Sequence, residues 1–122
     1  MTHNELIALE EELCHELEVC CGATTEVLDL TRKVLTIMRL RSDLLDEGCS
    51  ATSPAVDLTY TQQDQLLGYD DDGYRGLGYA FLNNLHTMNL TEHGSAVRCS
   101  WPTKRGLALL ERLETWAKAR NP

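Results

Sequence analysis

Between Thr25 and Asp46 the chain runs for 22 residues without glycine or proline, and its apolar side chains fall into two adjacent lines. Val27, Leu30, Val34, Ile37 and Leu44 make one line; Leu28, Leu35, Met38 and Leu45 make the other. Both repeat at the three-to-four-residue spacing of a helix face, which predicts a helix over Thr25–Asp46, with Gly48 ending it. A stripe this broad exceeds what one antiparallel neighbour covers. It demands burial against a first helix and against something more, either the C-terminal part of the chain or a second copy. The heptad-like spacing also suits a homodimer through residues 25–46.

The preceding segment supplies the first helix. Thr2 and Glu5 stand at capping-box spacing, where hydroxyl and carboxylate satisfy open helix donors. Leu6, Leu9, Leu13, Leu17 and Cys20 form a stripe widened by Ile7, Cys14 and Cys21, while Glu10, Glu11, Glu12, Glu16 and Glu18 cover the other faces. Gly22 accepts positive φ and is a natural stop, so the helix is predicted over Asn4–Cys21. Residues 1–48 then read as an N-terminal helical hairpin. Beyond it, Gly48–Ala55 is small and polar and reads as a loop. Asp57–Tyr60 is predicted as a short strand, Thr61–Asp64 as the start of a brief helix carrying Leu66 and Leu67, and Gly68–Tyr74 as a turn.

From Gly76 the pattern is helix, ribbon, helix. Leu77, Phe81, Leu85 and Met88 recur at helical spacing and leave Tyr79, Asn83, Asn84, His86 and Thr87 on other faces. Leu90–Trp101 reads as two strand-like pieces around a turn at His93-Gly94-Ser95. Thr103 is a candidate N-cap for a last helix that reaches Ala119, with Leu109, Leu110, Leu113, Trp116 and Ala117 on one stripe.

Over about residues 57–119 this order resembles a winged-helix domain. The segment Arg98-Cys-Ser-Trp-Pro-Thr-Lys-Arg-Gly-Leu-Ala-Leu-Leu-Glu-Arg-Leu113 is similar to the corner of MarR- and PadR-like regulators, where the second wing strand enters a closing helix. The resemblance implies that Thr103 caps that helix, that Gly106 permits close packing, and that Gly76–Met88 is the recognition helix. It further implies contacts to base edges from Tyr79, Asn83, Asn84 and Thr87, and to phosphate from Arg75, Arg98, Lys104 and Arg105.

Charge pulls the other way. The formal net charge is -8, and residues 1–60 hold four Lys/Arg against twelve Asp/Glu. Residues 61–122 hold seven of each, and Ser95–Pro122 has six basic residues against two acidic ones. Whole-chain acidity disfavours general nucleic-acid binding, although a local basic patch supports a specific contact. Asp70-Asp71-Asp72, leading into the Gly76 helix, opposes a phosphate backbone. Docking to a basic protein surface, through Glu11, Glu12 and Asp70–Asp72, is therefore the alternative.

Other chemistry finds little support. Asp70-Asp-Asp-Gly73 lacks the spacing of a calcium loop, since positions 68 and 79 are Gly68 and Tyr79. Gly73, Gly76 and Gly78 are not in the order of a dinucleotide cradle. Cys14 and Cys21 would stand about 10 Å apart on a helix, too far for one zinc. His86, His93 and Cys99 form a looser trio that nothing in the sequence requires to meet. No catalytic constellation or cofactor site stands out. Five cysteines without framework spacing favour a reducing compartment. No apolar run approaches a membrane span, and the acidic start does not resemble a signal peptide.

The expectation is a mainly α (α+β) fold forming one domain, a helical hairpin packed on a winged-helix-like unit with a small β-hairpin. The expected function is a small cytoplasmic regulatory protein of bacterial or phage type, without enzymatic activity, binding DNA or a nucleic-acid-associated protein. The alternatives are an acidic inhibitor docking a basic partner, as in phage anti-defence proteins, and a structural subunit of a larger assembly.

Overall fold

The computed structural model describes residues 1–17, 24–68 and 76–121. It is mainly helical, with five α-helices and one two-stranded antiparallel sheet among those residues. The first helix, α1 (His3–Glu16), opens on the expected pair: the Thr2 hydroxyl accepts the Glu5 N–H at 3.1 Å and donates to the Glu5 carboxylate at 3.1 Å. Leu17 leaves helical geometry at φ -102, ψ 17. The predicted extension to Cys21 and the stop at Gly22 fall on residues 18–23, outside the described residues.

Helix α2 (Thr25–Asp46) has the bounds its two stripes predict. Gly48, at φ +96, lets the chain turn back, so that the Gly48 and Cys49 N–H groups reach the Leu45 and Leu44 carbonyls. Leu28, Thr31, Val34, Leu35, Met38 and Arg41 are its buried residues. The breadth of the stripe is explained by its neighbours, since α2 packs against α1, α3, α5 and β2.

Asp57–Tyr60 is not a strand. Residues Pro54–Leu67 form one continuous helix, α3, which also shortens the preceding loop. Ser53 is extended and Pro54 occupies the first turn, where its fixed φ and missing N–H are favourable. Val56, Thr59, Gln63 and Leu67 are buried, a helical spacing that the polar residues Thr59 and Gln63 hide from a hydrophobicity reading. Gly68 ends α3 in the left-handed region at φ +66.

Helix α4 (Gly76–Thr87) leads through Asn89 to β1 (Thr91–Glu92), which pairs antiparallel with β2 (Trp101–Pro102), Thr91 opposite Pro102 and Glu92 opposite Trp101. The predicted second strand is shorter than expected, because Val97–Cys99 form a 3-10 turn before it. In α4 the fully buried residues include Leu82 and Leu85, whereas Phe81 is only half-buried, so the core stripe is rotated from the predicted one. The closing helix is α5 (Lys104–Arg120).

One core joins all five helices. Leu13 and Leu17 meet Leu28, Val34, Leu35 and Met38 from α2, Leu67 from α3, Leu82 and Leu85 from α4, and Leu109, Leu110, Leu113 and Trp116 from α5. Each buried leucine contributes about 1.5–3 kcal/mol relative to exposure. The α1 glutamates add directional ties to α5. Glu10 accepts the Trp116 indole N–H at 3.0 Å, and Arg112 pairs with Glu12 at 2.7 Å and Glu16 at 2.5 Å. Thus α1 is held by α5 as well as by α2. Among the described residues no helix is long and apolar enough to cross a membrane.

Candidate nucleic-acid interface

The corner between the ribbon and α5 is built by three residues. Thr103 accepts the Gly106 N–H at 3.0 Å, capping the helix, and its hydroxyl donates to the Asn89 carbonyl at 2.6 Å. Its own N–H reaches the Leu90 carbonyl at 3.1 Å. Asn89, at φ 61, turns the chain out of α4, a conformation asparagine tolerates better than most residues. At Gly106 a Cβ would stand 2.0 Å from the Leu90 carbonyl oxygen. Only glycine permits that approach, which sets the start of α5 directly beside the end of α4.

The face of α4 turned away from the core carries Tyr79, Asn83, His86 and Thr87, all exposed, with Asn84 half-buried. Thr87 donates to the Asn83 carbonyl at 3.0 Å. Next along the corner, Lys104 and Arg105 are exposed in the first turn of α5, which contains no acidic residue. Neither has an ion-pair partner among the described residues. Cations at the positive end of a helix cost roughly 0.3–1 kcal/mol each.

Arg98 is placed differently. Its guanidinium grips Asp64 of α3 through Nε at 2.9 Å and a terminal nitrogen at 2.5 Å. The Asp64 carboxylate holds that guanidinium above its ordinary range, outweighing the effect of burial. Arg98 therefore ties the ribbon to α3. Arg75 and Asp70–Asp72 lie outside the described residues. On α1, Glu11 is exposed, and Glu12, still 68% exposed, is paired with Arg112.

Beneath the ribbon lies a polar network that the sequence reading did not anticipate. Arg41 of α2 is 3% exposed. It donates to Gln63 Oε1 at 3.1 Å and to the Ser100 carbonyl at 2.5 Å, while Gln63 Nε2 donates to the Arg98 carbonyl at 2.9 Å. The Arg41 and Arg98 guanidinium carbons lie 4.3 and 4.8 Å from the centre of the Tyr60 ring. Burial lowers the Arg41 pKa, countered by Tyr60. Burial and a hydrogen bond with Cys99 raise that of the Tyr60 phenol. One signal was available: Arg41 fills the gap between Ile37 and Leu44 in the first apolar line at helical spacing, a cation where a core residue is expected.

The loose trio divides. His86 and His93 meet, with ring centroids 4.3 Å apart, whereas Cys99 lies beside Tyr60. No group of three or more His, Cys, Asp or Glu residues converges among the described residues. Elsewhere, α2 and α3 expose Leu40 and Leu58 and border an open groove of about 440 Å³, lined by residues including Arg32, Lys33, Ile37 and Leu66. Comparison with known proteins yields no match to a family model, a curated protein or a solved structure.

Proposed function

We propose that the protein is a small cytoplasmic regulator of winged-helix type, without enzymatic activity, and that α4 with the first turn of α5 forms its DNA-binding surface. One observation carries this reading. Lys104 and Arg105 stand unpaired among the described residues, at a helix end that disfavours them, beside an exposed polar helix face. Such an arrangement stabilises a bound polyanion more than it stabilises the fold. Tyr79, Asn83 and Thr87 have the chemistry to meet base edges, asparagine by bidentate pairing with adenine. Three α1 glutamates (Glu10, Glu12 and Glu16) are directed to α5, which leaves fewer carboxylates for a basic protein partner. A homodimer through α2 would present two such surfaces.

The test is fluorescence anisotropy with mixed-sequence duplex DNA at two salt concentrations. Two to three phosphate contacts predict a loss of roughly 10–50-fold in affinity between 50 and 200 mM salt. Lys104→Glu with Arg105→Glu is expected to abolish binding at the lower salt while the far-ultraviolet spectrum stays unchanged. No binding by the unaltered chain at low salt would remove the proposal, and a pull-down for a basic protein partner would follow.

A further inference from the structure

We infer that His86 and His93 form a binding site for a divalent transition-metal ion of the zinc, nickel or copper class, linking the last turn of α4 to the segment after β1. The two imidazoles come from different elements, seven positions apart, and their centroids are 4.3 Å from each other with planes inclined at 55°. Each ring is already oriented by the main chain. His86 Nδ1 lies 3.2 Å from the Thr91 carbonyl oxygen, and His93 Nδ1 lies 3.0 Å from the Gly94 carbonyl oxygen. A carbonyl oxygen only accepts, so Nδ1 carries the proton in both rings and Nε2 keeps its lone pair. This is the outer hydrogen bond that metal-binding histidines almost always make, fixing tautomer and raising basicity.

The spacing is close to that of one ion. With metal–nitrogen bonds of about 2.0–2.1 Å and a ring centre about 1.1 Å behind each nitrogen, angles of about 90–110° at the metal separate the centroids by about 4.5–5.2 Å. The observed 4.3 Å falls just below that range, so the rings part slightly to admit the ion. Imidazole ligands suit zinc, copper and nickel and do not suit calcium or magnesium. Because no third side chain of the usual ligand types converges among the described residues, water completes the shell and the ion exchanges. The site is independent of whether the α4 face meets DNA.

The experiment is a titration of the full chain carrying His3→Gln, which removes the chelate of the terminal amine with His3, kept reduced, with Ni²⁺, followed through the imidazole resonances of His15, His86 and His93. The site predicts that substoichiometric Ni²⁺ broadens His86 and His93 together and before His15. His86→Gln and His93→Gln should each weaken binding by about tenfold or more, whereas His15→Gln should leave it unchanged. His86 is exposed, so its variant is expected to fold. Broadening of one ring of the pair alone, broadening centred on His15 or a cysteine, or no effect at millimolar Ni²⁺ would each overturn the assignment.

Discussion

Replacing Gly106 with alanine sets two well-understood effects against each other. Helix propensity favours alanine by up to about 1 kcal/mol, and on that ground alone Gly106→Ala should stabilise α5. The corner dictates the opposite sign. An added Cβ would meet the Leu90 carbonyl oxygen at 2.0 Å, with the Leu90 carbonyl carbon at 3.0 Å, and both are backbone atoms that cannot rotate aside. Relief requires the start of α5 to retreat by about 1 Å, at a cost of about 1–3 kcal/mol for overpacking. The same movement stretches the bonds from Thr103 to Leu90 and Asn89, now 3.1 and 2.6 Å, each contributing about 1 kcal/mol. The net expectation is a loss of about 2–4 kcal/mol, or about 1–2 M in the urea midpoint for a slope near 2 kcal/mol/M. Urea unfolding followed by circular dichroism measures it. Gly94→Ala is the control: nothing lies within 4 Å of its added Cβ, so its stability should change by no more than about 0.5 kcal/mol. A Gly106→Ala protein as stable as the parent would refute the close approach of α5 to Leu90.

Three further outcomes follow from the same packing. Arg41→Met leaves the Ser100 carbonyl and Gln63 Oε1 without their buried donor and should cost about 3 kcal/mol in urea unfolding; Arg41→Lys, with one compact ammonium, should recover only part of it. Tyr60 has a raised folded pKa, so its contribution is present in full below the unfolded value of about 10 and is lost as pH rises through the folded value. Absorbance titration at alkaline pH should show a late phenolate step that Tyr60→Phe removes. If α2 forms a homodimer, Leu40→Glu, at a position 48% exposed, should make it monomeric in sedimentation.

What was legible in the sequence, and what was not, has a physical pattern. The bounds of α2 and the Thr103 cap could be read because local periodicity and capping chemistry decide them. Helix α3 was misread because Thr59 and Gln63 face inward, and they do so for tertiary reasons: Gln63 serves Arg41 and the Arg98 carbonyl. Arg98 reads as a phosphate contact in the sequence because its partner Asp64 is 34 positions away. The meeting of His86 and His93 likewise depends on the reversal at Asn89, which no spacing rule announces. The exposed face of α4 was legible apart from Asn84, which is half-buried.

The most direct test of the proposed interface is amide chemical-shift mapping of the reduced chain during titration with duplex DNA at low salt. The largest changes are expected to cluster at Tyr79, Asn83 and Thr87 of α4 and at Lys104 and Arg105 of α5, with α1 unaffected. Changes confined to α1 or to the outer face of α2, or none at all, would contradict it.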